Sequence, residues 1–139
     1  MSLIKGQKHT KSCWVGESQI YNKPWGFERV WSARGSIGGK ILHIKKGERT
    51  SLKYNTLKDE CLLVLNGIIR VQFGTERTLV DPVQHPFQYA ELSHGDYLNV
   101  QSGCPYRITA VEDSQVIEIS ETKYNSQTIR IEDDYGRKQ

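Results

Sequence analysis

Apolar and polar positions alternate with a period of two along most of the chain, and no window of a dozen residues repeats its apolar positions at the helical period. Segment 37–46 mixes β-branched and polar residues, and segment 60–73 places two apolar runs on either side of Asn66-Gly67. Because Asn-Gly is the preferred pair for a type I′ turn, these two runs are predicted to form a β-hairpin. Further strands are predicted at 78–81, 87–92, 97–100, 104–110 and 114–120. Short strands separated by turn residues predict an all-β barrel or sandwich.

The composition is that of one globular domain. The chain has 139 residues, of which 37% are hydrophobic and 25% charged. Its three cysteines are odd in number and show no C-x-x-C spacing, so neither a disulfide framework nor a zinc site is expected. The apolar run at 61–65 is too short to span a bilayer, and the N-terminus lacks the hydrophobic centre of a signal peptide. We therefore expect a cytoplasmic protein without membrane contact.

The formal net charge of +3 hides a strong asymmetry along the chain. Residues 1–58 carry 12 Lys and Arg against 3 Asp and Glu, whereas residues 59–139 carry 7 against 13. A basic half can signal nucleic-acid binding, but here the basic residues are scattered and are not interleaved with stacking aromatics. Nucleic-acid binding is therefore not expected. The opposite charges are expected to meet across neighbouring strands or across a dimer interface.

One spaced motif resembles the first signature of the cupin superfamily, G-x5-H-x-H-x4-E-x6-G. Gly47, Glu60 and Gly67 fall on its glycine and glutamate positions, while Lys53 and Asn55 occupy its two histidine positions. The scaffold residues of the motif are kept and its metal ligands are replaced.

A second motif resembles the second cupin signature, G-x5-P-x-G-x2-H. Gly95 and Gly103 fit the two glycine positions, Gln101 replaces the proline and Tyr106 replaces the third histidine. The two motifs thus depart from the family pattern in the same way, since both lose histidines and keep glycines.

Three further segments are similar to the C-terminal cupin domain of type II mannose-6-phosphate isomerases (phosphomannose isomerase/mannose-1-phosphate guanylyltransferases). Residues 21–28 resemble that family's RPWG-x-[YF]-E, residues 51–60 its SLQ-x-HHHR-x-E, and residues 129–137 its closing IVR-x-EDDYGR. The resemblance implies a cupin jelly-roll β-barrel over residues 21–137, preceded by an N-terminal arm of residues 1–20. The chain is too short to hold the nucleotidyltransferase domain as well, so we do not expect it to make sugar nucleotides.

The resemblance places Lys53, Asn55, Glu60 and Tyr106 at the positions of the metal ligands. A divalent site needs several imidazole or carboxylate donors. A protonated lysine has no lone pair, a neutral tyrosine is a poor ligand and an asparagine supplies one carbonyl oxygen, which leaves Glu60 alone as a good ligand. We therefore expect no metal and no other cofactor.

Two of these residues are candidate catalytic groups. Aldose–ketose isomerisation needs a base, and a positive group to stabilise the developing oxyanion. Glu60 could act as the base and the Lys53 ammonium could replace the missing metal cation. The alternative is that Lys53 and Glu60 form an ion pair that fills an inherited cavity.

The candidate substrate-binding residues combine basic groups with polar groups of the replaced ligand set. Guanidinium and ammonium groups bind phosphate well. The candidates are Arg49, Asn55, Lys58, Tyr106 and Arg137.

Three functions remain open on the sequence. The favoured one is a degenerate, metal-free cupin that binds a sugar or sugar phosphate in the barrel pocket. The second is an active mannose-6-phosphate isomerase-like enzyme that uses Glu60 as its base. The third is a non-catalytic structural or assembly protein that uses the barrel as a scaffold. A homodimer is expected, because cupins of this kind commonly dimerise.

Overall fold

The structure, a computed structural model, describes residues 10–32 and 37–137, and these residues are almost entirely in β-strands and their connections. In chain order the elements are β1 (Gln19–Lys23), β2 (Gly26–Ser32), β3 (Ile37–Ile44), β4 (Leu52–Asn55), β5 (Glu60–Asn66), β6 (Ile69–Phe73), α1 (Glu76–Val80), β7 (Gln88–Leu92), β8 (Tyr97–Val100), β9 (Tyr106–Ala110), β10 (Ser114–Glu121) and β11 (Thr128–Glu132). The predicted all-β class is confirmed.

The strands form two antiparallel sheets. One has six strands in the order β1-β2-β3-β10-β5-β8, and the other has five in the order β11-β4-β9-β6-β7. Side chains from both sheets share one hydrophobic core, so the sheets pack face to face. The buried hydrophobic residues of this core are Trp25, Leu42, Ile44, Leu62, Val64, Ile69, Val71, Val100, Tyr106, Ile108, Ala110 and Val116.

The sequence alternation explains which side chains enter the core. In β5, Glu60, Leu62 and Val64 are buried while the residues between them are less so. In β10, Val116 and Glu118 share the buried phase. Because successive strand side chains point to opposite faces, a charged residue in the apolar phase is carried into the interior. This rule places charged groups between the two sheets.

The predicted hairpin at Asn66-Gly67 is wrong. The two runs do form β5 and β6, but β5 pairs with β8 and β10 while β6 pairs with β7 and β9. A type I′ turn needs positive φ at both central residues. Gly67 has φ +87°, whereas no residue other than glycine has positive φ among the described residues. The turn therefore carries the chain from one sheet to the other.

The strand predicted at 78–81 is also wrong, because this segment lies mostly in the short helix α1. Thr75 caps the helix: its hydroxyl accepts a hydrogen bond from the backbone N–H of Arg77 (3.2 Å), and its own N–H donates to Thr78 Oγ1 (3.0 Å). This reciprocal capping box stabilises a helical first turn. Thr78, which belongs to the predicted strand, is thus part of the helix cap. The other predicted strands agree with the structure to within a few residues at each end.

The glycines of both cupin-like motifs occupy turns that need a left-handed backbone. The φ angles are +85° at Gly47, +87° at Gly67, +88° at Gly95 and +80° at Gly103. Residues with a Cβ rarely adopt this conformation, so the motif spacing marks four backbone turns. The retained glycines therefore preserve the frame of the fold.

The closing segment is tied to the five-stranded sheet by charged contacts. Strand β11 pairs with β4. The guanidinium of Arg107, which is 2% exposed, donates to the backbone oxygen of Thr50 (2.9 Å) and to Glu132 Oε2 (3.1 Å). The guanidinium of Arg49 forms a bidentate ion pair with Asp134, in which Nε donates to Oδ2 (2.6 Å) and Nη2 donates to Oδ1 (2.7 Å). The Arg49 pair joins the basic half of the chain to the acidic half, as the charge asymmetry predicted.

The N-terminal arm is only partly covered by the structure. Residues 1–9 lie outside the described residues, and residues 10–18 have no regular secondary structure. Strand β1 begins at Gln19, so the six-stranded sheet takes in the last two residues assigned to the arm. Among the described residues, no helix has the length and apolar character needed to cross a membrane.

We predict that Gly67→Ala destabilises the fold more than Gly95→Ala does. A Cβ on Gly67 would lie 2.3 Å from Ser114 Oγ and 2.6 Å from the Asp113 carbonyl oxygen, whereas a Cβ on Gly95 would meet no atom within 4 Å. Both substitutions force a left-handed alanine, which costs about 1–3 kcal/mol. Gly67→Ala adds the steric clash, and we expect about 2 kcal/mol of further loss in the free energy of unfolding.

Urea unfolding of the two variants and the wild type measures this difference. Equal losses for Gly67→Ala and Gly95→Ala would contradict the close packing of the β5–β6 turn against residues 113 and 114.

Candidate functional site

The four residues at the cupin metal-ligand positions meet between the two sheets. We call Lys53, Asn55, Glu60 and Tyr106 the polar cluster. Lys53 and Asn55 lie two residues apart on β4 and so share one face of the strand. Tyr106 begins β9 directly opposite Lys53, and Glu60 begins β5 in the other sheet. The motif spacing therefore predicted which residues come together.

The carboxylate of Glu60 is the centre of the polar cluster. It is 6% exposed, Asn55 is 5% exposed and Tyr106 is 1% exposed. Glu60 Oε1 accepts a hydrogen bond from the Tyr106 hydroxyl (3.0 Å) and another from Asn55 Nδ2. Asn55 Oδ1 in turn accepts from Thr128 Oγ1 of β11 (3.0 Å). The buried donors and the carboxylate thus satisfy one another.

Lys53 does not pair directly with Glu60. Its ammonium lies 5.9 Å from the centre of the Tyr106 ring, and among the described residues no ion pair joins Lys53 to Glu60. Burial lowers the pKa of Lys53, although the negative charges of Glu118 and Glu60 oppose this shift. The expected Lys53–Glu60 ion pair is therefore replaced by hydrogen bonds to Glu60 and a cation–π contact to Tyr106.

A second group of charged residues lies beside the polar cluster, and we call Glu28, Lys40 and Glu118 the ion-pair triad. Lys40 Nζ lies 3.2 Å from Glu28 Oε2 and 3.4 Å from Glu118 Oε2. Burial alone would lower the pKa of Lys40, but the two carboxylates raise it above the ordinary value. Lys40 therefore stays an ammonium.

Two acidic groups of this interior hold their protons more tightly than exposed groups do. Burial, followed by the nearby charge of Glu60, raises the pKa of Glu118. The same two causes raise the pKa of Tyr106 well above its ordinary value. Tyr106 is therefore a neutral phenol that donates its proton to Glu60 in a hydrogen bond.

The ion-pair triad was not predicted from the sequence, although two of its members carry a sequence signal of burial. Glu118 lies two residues after Val116, and Lys40 lies two residues before Leu42, so each occupies the buried phase of its strand. A charged residue that occupies the same alternate positions as the buried apolar residues of its strand is expected to be buried, and this rule predicts the burial of both side chains. Thr128 gave no comparable signal, because its contact with Asn55 depends on the pairing of distant strands.

The chemistry of the polar cluster does not fit a resident metal ion. Among the described residues, no group of three His, Cys, Asp or Glu side chains could hold a metal. Asn55 and Tyr106 both use their donors on Glu60, and the Asn55 oxygen is occupied by Thr128. The phenol, the ammonium and the engaged amide leave too few free electron pairs to coordinate a cation.

The other predicted binding residues fall in two places. Arg49 is bound to Asp134, and Arg137 contacts Asp133 at 2.9 and 3.1 Å. Arg49 bridges to Thr109 of β9, about 10 Å along the strand from Tyr106 at the usual rise per residue. The structure does not bring these two arginines to the polar cluster, and their predicted role in phosphate binding stays a prediction.

Lys58 lies instead at a pocket that two members of the ion-pair triad, Lys40 and Glu118, also line. This pocket, which we call the mouth pocket, has a volume of about 280 Å³, and Lys40, Lys58 and Glu118 supply its charged lining. Ser120 and Thr122 add hydroxyl groups to its wall. The mouth pocket therefore combines cations, a carboxyl group and hydroxyls in a space of small-molecule size.

Comparison with known proteins gives structural matches alone. No family model matches the sequence, and no curated protein matches it either. Among solved structures, oxalate decarboxylase from Bacillus subtilis is 17% identical with a TM-score of 0.67, covering 82% of this chain and 30% of that one. KdgF from Halomonas sp. is 16% identical with a TM-score of 0.62, covering 84% of this chain and 97% of that one.

A third similar structure is the vicilin from Solanum melongena, which revealed different anionic ligands in structurally similar pockets. It is 19% identical with a TM-score of 0.59, covering 68% of this chain and 26% of that one. The chain thus spans less than a third of the vicilin and oxalate decarboxylase chains. These cupin-fold neighbours include both enzymes and storage proteins, so their likeness is one of fold. By its two sheets and by these neighbours, the chain has the cupin fold.

Proposed function

We propose that this chain is a metal-free cupin-fold protein that binds a sugar or sugar phosphate in the mouth pocket. One observation carries the proposal. Asn55 and Tyr106 are hydrogen-bonded to Glu60, while Lys58, Lys40 and Glu118 line a separate pocket. In this proposal the ligand is bound by charged side chains of the pocket wall and not by a metal ion.

Lys58 supports binding of an anionic group. Its ammonium has no ion-pair partner among the described residues, whereas Lys40 is already paired with Glu28 and Glu118. The backbone N–H of Lys58 donates to Ser126 Oγ (3.2 Å), which fixes the chain at this point. An unpaired lysine on an anchored backbone is a suitable ligand for phosphate. The anionic ligands found in the vicilin pockets agree with this assignment.

The remaining lining supports a polyhydroxy ligand of small size. Glu118, Ser120 and Thr122 offer hydrogen-bonding groups of the kind that hold sugar hydroxyls. The pocket volume of about 280 Å³ lies just below the usual range of about 300–1,000 Å³ for small-molecule pockets, which favours a ligand as small as a single sugar ring. The resemblance of residues 21–28 and 129–137 to mannose-6-phosphate isomerases favours a hexose phosphate as the first ligand to test.

We predict that Lys58→Gln weakens the binding of mannose 6-phosphate about tenfold, which corresponds to about 1.4 kcal/mol. Binding of unphosphorylated mannose should change little, because the substitution removes a charge that only the phosphate needs. Isothermal titration calorimetry measures both affinities. Lys46→Gln is the matched control, since it removes one exposed lysine charge that does not line the mouth pocket.

Two results would count against this site. One is an equal affinity of wild type and Lys58→Gln for mannose 6-phosphate. The other is an equal weakening by Lys46→Gln, which would mean that the overall charge of the protein governs binding.

An isomerase that uses Glu60 as its base is the second candidate. The interior brings Glu60 and Lys53 into one cluster, as that mechanism requires. However, Glu60 Oε1 already accepts two hydrogen bonds, which weakens it as the base that would move the proton.

We therefore predict no isomerisation of mannose 6-phosphate above the level of the Glu60→Gln variant. The measurement is a coupled assay for fructose 6-phosphate, run with and without added divalent metal ions. The side-chain amide of this variant would keep an oxygen that accepts from Tyr106, so the control should fold while lacking a base. Turnover by the wild type that Glu60→Gln abolishes would establish the second candidate.

A scaffold role is the third candidate and is favoured by the outer face of the six-stranded sheet. Trp31 of β2 and Ile119 of β10 lie opposite Gly39 on the two strands that flank β3. Their side chains are 39% and 49% exposed. An exposed apolar patch of this kind suits contact with a second copy of the chain, in keeping with the expected homodimer. A pure scaffold would give no response to sugars or sugar phosphates in the titrations above.

A further inference from the structure

A second cavity lies on another side of Glu60, and we call it the side cleft. Its volume is about 410 Å³, within the range of about 300–1,000 Å³ that small-molecule sites usually have. It is lined by the start of β5, the end of β8, the end of β6 and the residues just before β9. Within the described residues, the side cleft and the mouth pocket share no lining residue. The two cavities are therefore separate sites.

The walls of the side cleft are held in place by backbone hydrogen bonds. The backbone N–H of Ser102 donates to Asp59 Oδ1 (2.8 Å), and that of Gly103 donates to the Asn55 carbonyl oxygen (2.8 Å). On the opposite side, the Gly74 N–H donates to the Pro105 carbonyl oxygen (3.0 Å). These contacts fix the segment of the second cupin-like motif before any ligand binds. A fixed wall lowers the ordering cost of binding.

Two amide side chains of this cleft are unengaged. Asn99 and Gln101 are exposed, and neither side chain has a hydrogen-bond partner among the described residues. Each amide offers two N–H donors and a carbonyl acceptor. Phe73 is partly buried and adds an aromatic surface to the same lining. Amide groups beside an aromatic surface suit a ligand with both hydroxyl groups and apolar C–H faces.

The charges of the side cleft exclude a phosphorylated ligand. Asp59 and Glu60 are part of the lining, whereas no lysine or arginine of the described chain is. Like charges repel, so an anion is disfavoured there. A purely cationic ligand would leave the N–H donors of Asn99 and Gln101 unused. An uncharged polyhydroxy ligand uses donors and acceptors alike.

Cys104 also lines the side cleft. Burial raises the pKa of its thiol; a hydrogen bond with the backbone of Glu76 opposes this shift, and the charges of Glu76 and Asp59 add to it. A thiol with a raised pKa has little of the reactive thiolate form. Reversible binding therefore fits the cleft better than covalent chemistry does.

We propose that the side cleft is a binding site for an uncharged sugar ring or polyol, held by Asn99, Gln101 and Asp59 against Phe73. This site does not depend on the proposed function of the mouth pocket, because the two cavities have different linings and the side cleft has no lysine or arginine among its described lining residues. A ligand with a free sugar ring and no phosphate is its expected occupant.

The test is a titration of the isotope-labelled protein with methyl α-D-mannopyranoside and with D-glucose, followed by ¹H–¹⁵N NMR. We expect saturable shifts of the backbone amides of residues 59–60, 73–74 and 99–104. The double variant Asn99→Ala/Gln101→Ala should weaken this binding at least tenfold. Both positions are exposed, so the variant should keep the thermal stability of the wild type.

The matched control is Lys46→Gln, an exposed lysine that lines neither cavity, which should leave the binding of the uncharged sugars unchanged. Three results would overturn the proposal: no saturable shifts at these amides, unchanged affinity in the double variant, or tighter binding there of glucose 6-phosphate or of putrescine. If mannose 6-phosphate fails to bind at the mouth pocket while the uncharged sugars bind at the side cleft, only the proposed function fails.

Discussion

The interior of this protein depends on keeping the buried carboxylate of Glu60 hydrogen-bonded. An isolated charge in an apolar core costs many kcal/mol unless it is paired or hydrogen-bonded. Tyr106 and Asn55 provide that stabilisation, because each donates a hydrogen bond to the same oxygen. In a metal-binding cupin site, the side chains at these positions would offer lone pairs to a cation. Here they offer protons to an anion, so the replacements form one self-consistent set.

The closing segment of the chain contributes to the same network from outside. Thr128 of β11 donates to Asn55, and β11 pairs with β4, which carries Asn55 and Lys53. Arg107 and Arg49 bind the acidic residues that follow or end β11. Strand β11 and the residues that follow it therefore position β4 in this protein. Their arginine and acidic residues are engaged with one another and with the sheet.

The sequence predicted the frame of the fold better than its connections. The glycines at 47, 67, 95 and 103 marked turns that need positive φ, and the motif spacing brought Asn55, Glu60 and Tyr106 together as expected. The hairpin at Asn66-Gly67 failed because local turn chemistry does not determine which sheet the next strand joins. The helix α1 was missed because its β-branched residues suggest a strand unless the capping pair Thr75–Thr78 is recognised. Lys40 and Glu118 were missed because charged residues were not compared with the apolar phase of their strands.

The most direct measurement is the metal content and metal affinity of the purified protein. Elemental analysis after purification without a metal-affinity tag, followed by calorimetric titration with zinc, nickel, manganese and iron(II), measures both quantities. We predict far less than one metal ion per chain and no saturable binding at the polar cluster, with Glu60→Gln behaving as the wild type does. One tightly bound ion per chain, lost in Glu60→Gln, would contradict the assignment of Asn55 and Tyr106 as hydrogen-bond donors to Glu60.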